Sequence, residues 1–203
     1  TSAIVKVLIE KEIFEDYYIQ EDRVNFTGET NERDLQLSVA QQNAFDGIRD
    51  SFIQKEVCLL HGVTSSGKTE IYIKLIEEYL VTGKQVLYLL PEIALTTQLV
   101  GRLRAYFGNK VAVFHSKYNN NERVEVWSQV LRNSEKAQIV IGARSALFLP
   151  FADLGFVIVD EEHEQTFKQI DPAPRYHARD AAVVLANFHK AKVLLGSATP
   201  SIE

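Results

Sequence analysis

The chain has no methionine, one cysteine, one tryptophan and five prolines in 203 residues. A single thiol, Cys58, can form no disulfide within the chain and cannot build a zinc site from cysteines. It sits in the apolar run Val57–Leu60, where a thiol serves as a small buried hydrophobe. That usage fits a reducing, cytoplasmic setting. Long apolar runs are also missing. None approaches the roughly 18 residues of a membrane span, and no secretory leader is visible, so no membrane partner is expected. Positive charge is in short supply: 22 Lys and Arg stand against 27 Asp and Glu, a net charge of −5. This argues against coating nucleic acid through bulk charge and leaves room for a local basic groove. With Thr1 first and no methionine, the chain is expected to be a piece of a longer protein.

What is present is ordinary for a folded domain: 46% hydrophobic and 24% charged residues. Residues 1–20 partly alternate, with Val5, Val7 and Ile9 on one face, which predicts a strand or hairpin. Residues 21–36 are polar and read as a linker, so a boundary falls near residue 35. Beyond it, short runs rich in Val, Ile and Leu recur at Val57–Leu60, Val86–Leu90, Val111–Phe114, Ile139–Ile141, Phe156–Val159 and Val193–Leu195. They barely alternate, as strands buried on both faces do. Helical patterns lie between most of them. Ile71, Leu75, Ile76, Tyr79 and Leu80 share a face, with Gly83 as a stop. Leu95, Leu99, Leu103 and Phe107 keep a four-residue step. Val126, Val130 and Leu131 do so within 121–133, and Ala181, Val184, Leu185 and Phe188 within 178–189. Strands alternating with helices predict an α/β fold, a mostly parallel sheet with helices on both faces, preceded by a short β segment. Such a sheet carries its chemistry at the carboxyl ends of its strands.

Two strand ends carry chemistry. After Val57–Leu60 comes GVTSSGKT, from Gly62 through Val63, Thr64, Ser65, Ser66, Gly67 and Lys68 to Thr69, which matches the phosphate-loop pattern. Its glycines let the backbone turn tightly and approach phosphate oxygens. Its N–H groups and the following helix start form an anion cradle. Lys68 brings a point charge to the β- and γ-phosphates of ATP, and the Thr69 hydroxyl can ligate Mg²⁺. About ninety residues on, VIVDEEH ends a strand in Asp160, Glu161, Glu162 and His163. Alone, this could be a metal site, an acidic patch or half of a nucleotide engine. The phosphate loop favours the last: Asp160 to hold Mg²⁺, Glu161 to orient the attacking water. Four contiguous residues lack the i, i+3 or i+4 spacing that would converge on one ion.

Six motifs then occur in order: GVTSSGKTE, LLPEIALTTQ, IVIGARSALFLPF, VIVDEEH, RYHARD and LGSATPSIE. Over residues 37–203 the chain resembles the first motor lobe of the replication-restart DNA helicases, a superfamily 2 family with a DEAH-type box. The resemblance implies a RecA-like ATP-binding lobe at residues 36–203, with residues 1–35 the end of a preceding winged-helix-like domain plus a linker. It implies that Gln41, in LSVAQQNA, reads adenine; the residues alone leave helix capping equally open. Pro91, Thr96, Thr97, Arg144 and Ser145 match motifs that touch single-stranded DNA. Ser197 and Thr199 match the motif linking nucleotide state to the motor, which His163 would meet. Phe167, Lys168, Arg175, Tyr176 and Arg179 fall in an aromatic-rich stretch expected to sense DNA, against the alternative of a surface loop packing its rings on the core. Two departures stand out: Ser65 where the family usually has Gly, and Ala143 where it usually has Thr.

The implied activity is ATP-driven 3′→5′ movement on single-stranded DNA and unwinding at forked DNA during restart of stalled replication. The implied partners are other primosome and restart proteins and single-strand-binding protein. A translocase that does not separate strands, or a lobe that binds DNA or protein without catalysis, are the alternatives. The family's second lobe, whose arginines stabilise the transferring phosphate, and its zinc-binding cysteines are not in this sequence. No zinc is therefore expected here, and the 203 residues alone are expected to bind nucleotide weakly, hydrolyse slowly and not unwind.

Overall fold

A computed structural model describes residues 35–63, 66–92, 97–115 and 118–200. The expected β segment at 1–20 and the linker up to residue 34 lie outside the described residues. The element order is α1 (Val39–Gln54), β1 (Val57–His61), α2 (Lys68–Val81), β2 (Gln85–Leu89), α3 (Thr97–Phe107), β3 (Val111–Phe114), α4 (Asn120–Leu131), β4 (Ile139–Gly142), β5 (Leu154–Asp160), β6 (Lys168–Gln169), β7 (Tyr176–His177), α5 (Ala178–His189) and β8 (Lys192–Ser197). Six strands form one parallel sheet in the order β1-β8-β5-β2-β4-β3. The other two, β6 and β7, pair antiparallel as a separate ribbon.

Local chemistry sets the element ends. Ser38 and Gln41 form a reciprocal capping box at the start of α1, and Asn119 and Glu122 do the same for α4. Gly83, at φ 75°, ends the run of α2 in a conformation a side chain would strain.

The sheet splits the core in two, because successive residues of a strand point to opposite faces. Val86 and Tyr88 of β2, with Ile139, Ile141, Phe156 and Ile158, pack against α1, α2 and α3. Leu87 and Leu89, with Val140, Val157 and Val159, pack against α4 and α5. Double coverage explains why the strands read as unbroken apolar runs. One expected face is shifted. In α5 the buried residues are Ala178, Ala182 and Ala186, while Val184 and Phe188 stand exposed. The alanines let the helix axis approach the sheet closely, and the bulky residues that marked the predicted stripe point away. Among the described residues, no helix is long and apolar enough to cross a membrane.

Candidate functional site

The carboxyl ends of β1, β5 and β8 lie side by side, since these strands are neighbours in a parallel sheet. The turn after β1 demands glycine at Gly67 and is tight at Gly62. A Cβ on Gly67, where φ is 82°, would sit 2.2 Å from Gln41 Nε2, and one on Gly62 would lie 2.9 Å from Ser66 Oγ. Lys68 opens α2 and is buried. Its Nζ donates to the Gly62 carbonyl oxygen at 2.8 Å and pairs with Glu161 Oε1 at 3.6 Å. Thr69 follows in the first helical turn, half-buried, and Val63 is exposed. Thr64 and Ser65 lie outside the described residues. A glycine-lined turn, an ammonium and a hydroxyl at a helix start are a donor set that fits a nucleotide's phosphates and a magnesium ion.

Asp160, the last residue of β5, is fixed from two sides. Tyr72 donates to Oδ1 at 2.9 Å and Tyr88 to Oδ2 at 3.1 Å. The Glu161 N–H also donates to Oδ1, at 3.1 Å. Burial pushes the Asp160 carboxyl above the usual carboxylate range, and the Glu161 charge adds to this; the two phenol hydrogen bonds and Lys68 oppose it. Burial likewise raises both phenols, and the adjacent carboxylate raises them further. Space here is minimal: a Cβ on Gly196 would lie 1.9 Å from the Tyr72 hydroxyl and 2.9 Å from Asp160 Oδ1. The glycine of GSAT is therefore needed for close approach.

The four residues of the acidic stretch diverge. Glu161 takes a left-handed backbone, φ 51°, at a cost of about 1 kcal/mol for a residue with a Cβ. This turns its carboxylate toward Lys68 and to within 3.8 Å of His163 Nδ1. Glu162 is buried, pairs with Arg179 at 3.0 Å, and sends its N–H to the Gly196 carbonyl oxygen. His163 Nδ1 lies 2.8 Å from Ser197 Oγ, which also accepts the Thr199 N–H at 3.2 Å. Lys68, Glu161, His163 and Ser197 thus form one polar chain across three strand ends. Among the described residues, no group of three His, Cys, Asp or Glu converges on a metal ion.

The remaining expected residues divide. Gln41 caps α1 by accepting the Ser38 N–H with Oε1, at 2.8 Å, and donates from Nε2 to the Gly67 carbonyl oxygen at 3.1 Å. These bonds use one of the amide's two acceptor lone pairs and one of its two N–H donors and fix its orientation. Pro91 is buried just past β2 and Thr97 is exposed at the start of α3; Thr96 lies outside the described residues. Arg144 donates to the Lys168 carbonyl oxygen at 2.9 Å and the Thr166 carbonyl oxygen at 3.5 Å, and Ser145 beside it is half-buried. Lys168 and Arg175 are exposed, and Tyr176 is half-buried. Arg179 is committed to Glu162 and Asp180, so it couples motifs rather than offering a free cation.

Phe167 requires a correction. Its ring is 1% exposed and belongs to the core beneath α5, so it offers no face to a base. The alternative of a loop packing its ring on the core is the one found. Sequence reasoning also missed Tyr72 and Tyr88. The one signal was a phenol within the aliphatic run VLYLL, where a buried hydroxyl requires a partner.

Residues 38–203 match the family model described as DEAD/DEAH box helicase. The chain is similar to the replication restart protein PriA of Bacillus subtilis, 43% identical over a 207-residue alignment covering 100% of this chain and 25% of that protein. It is 53% identical to the protein of the same name from Haemophilus influenzae, over 72% of this chain and 20% of that one. It spans about a quarter of the length of such relatives or less. Among solved structures, RecG bound to a three-way DNA junction matches with a TM-score of 0.60 and 26% identity, covering 81% of this chain and 21% of that one. The DUF1998 helicase MrfA bound to DNA matches with a TM-score of 0.59 at 19% identity, covering 81% and 23%. The latter likeness concerns the RecA-like fold alone.

Proposed function

The chain belongs to the DEAD/DEAH box helicase family, and on that premise we propose that it is the ATP-binding lobe of a 3′→5′ DNA helicase acting in replication restart. The observation that carries the reading is the polar chain from Lys68 through Glu161 and His163 to Ser197. It joins the phosphate loop, the water-orienting acid and the GSAT motif within direct contact distance. A change at the phosphate can thereby reach the strand end that leads on to the rest of a motor.

The motif positions and the contacts described above support the following roles. Backbone N–H groups at Gly62–Thr69 and the start of α2 hold the phosphates, and Lys68 meets the β- and γ-oxygens. Thr69 and Asp160 are the residues that would hold Mg²⁺, and the ion, when bound, neutralises charge on the transferring phosphate. Tyr72 and Tyr88 keep the Asp160 carboxylate oriented. Glu161 positions the attacking water, and His163 passes the state of the site to Ser197 and Thr199. DNA is the partner favoured by the names of relatives concerned with replication restart and DNA junctions. Restart proteins and single-strand-binding protein remain partners by resemblance.

Titration of the 203-residue chain with a fluorescent ATP analogue and Mg²⁺, beside Lys68→Ala, tests this. Saturable binding by the parent and its loss in a variant with unchanged circular dichroism is the expected result. Equal binding by both overturns the assignment of Lys68 to the phosphates.

A further inference from the structure

Phe148 ends the 3-10 helix Arg144–Phe148 that follows β4, and it stands 66% exposed. Leu147 and Leu149 on either side are buried, so the backbone is anchored and the ring alone projects. The ring is nevertheless held. It meets Tyr176 edge-on, with centroids 5.4 Å apart and planes at 83°. Tyr176 lines a concavity of about 400 Å³ together with Lys168, Gln169, Ile170, Arg175 and His177. Among the described residues, that lining has two permanent cations, Lys168 and Arg175, and no carboxylate. Arg175 spends Nε on the Ile170 carbonyl oxygen at 3.1 Å, which fixes the guanidinium without consuming its terminal amines. Arg144, at the other end of the same 3-10 helix, fastens the two loops through the Lys168 carbonyl.

An exposed aromatic, braced by a second ring whose concavity carries two cations, suits a ligand with flat apolar faces on an anionic backbone. Single-stranded nucleic acid has both, whereas a duplex hides its base faces. We propose that Phe148 is a base-stacking residue for single-stranded DNA, braced by Tyr176, with Lys168 and Arg175 meeting the adjoining phosphates. The exposed ring is thus contributed by the loop after β4, while the ring of Phe167 in the aromatic-rich stretch is buried. The inference rests on the reading of the chain as a DNA motor lobe, and it adds a residue and a chemistry to it.

The test is fluorescence anisotropy of the chain with labelled oligothymidylate and with an abasic oligodeoxynucleotide of equal length. Wild type should favour oligothymidylate. Phe148→Ala should bind it roughly 5- to 150-fold more weakly, as removal of one stacking partner does elsewhere, with abasic binding unchanged. Phe148→Tyr should restore the preference. Equal loss on both oligonucleotides would make Phe148 a structural residue and overturn the proposal. So would wild-type affinity for both in Phe148→Ala, though the DNA-motor reading would then stand. Failure of wild type to bind either oligonucleotide removes the DNA reading of this lobe and the proposal with it.

Discussion

At the scale of single residues, Asp160 carries a desolvation cost. It is a carboxylate drawn largely out of water, and two phenols compensate it only in part. Its folded value lies above the ordinary 3.8. The folded state therefore holds this proton more tightly than the unfolded chain does. The stability that this contributes is present below 3.8 and is lost as pH rises through the folded value. Asp160→Asn, with the same shape and no charge, should raise the melting temperature of the nucleotide-free chain at pH 7. The scale is about 2–4 °C for each kcal/mol regained. The variant should also lose this part of the pH dependence and the Mg²⁺-dependent fraction of nucleotide binding. Thermal melts of both forms from pH 4 to 8 measure this; an unchanged or lower melting temperature contradicts it. The two motif carboxylates and the phosphate-loop lysine were legible in the sequence because their spacing from a strand is the chemistry. Tyr72 and Tyr88 were not, since nothing in the linear pattern says that two phenols from separate elements meet on one carboxylate.

At the scale of elements, Gln85 does for the sheet what the tyrosines do for the site. It is fully buried at the start of β2. Its Oε1 accepts the N–H groups of Ala152 and Asp153 at 2.8 and 3.0 Å, and its Nε2 donates to the Val130 carbonyl oxygen at 2.9 Å. One amide thus closes the end of α4 and the entry to β5. Gln85→Ala leaves the Ala152 and Asp153 N–H groups without their partner, while the Val130 carbonyl keeps the Asn133 N–H at 3.1 Å, and should cost about 2–4 kcal/mol. Urea denaturation reads this directly; a cost below about 1 kcal/mol would mean that water replaces the amide. Strand and helix existence could be read from apolar runs and their spacing, and most boundaries moved by only a residue or two. The inward face of α5 could not be read so. Size suggested Val184 and Phe188, but a helix lying close on a sheet buries its smallest residues. Loops have no period at all, which is why the rings of Phe167 and Phe148 could not be sorted into inside and outside.

At the scale of the whole molecule, the parallel sheet decides which parts open first. Strands β5 and β2 are central and bury nearly every side chain, whereas β1 and β3 each pair on one edge only. Amide hydrogen exchange should be slowest in β5 and β2 and faster by one or more orders of magnitude in β1. Uniform protection across all six strands would show that the sheet opens only as a unit. The phosphate loop hangs from β1, so the site for nucleotide is built on the less protected side of the fold. A nucleotide bound there should raise the protection of β1 more than that of β5.

The contact between Lys68 and Glu161 bears on how the proposed site would take up a triphosphate. Lys68 Nζ and Glu161 Oε1 lie 3.6 Å apart. On the proposed roles, a γ-phosphate drawn to Lys68 would compete with that carboxylate, and Glu161 would be freer to meet a water. A diphosphate, reaching less far, would compete less well. The same two side chains would then be paired before the triphosphate binds and separated after it.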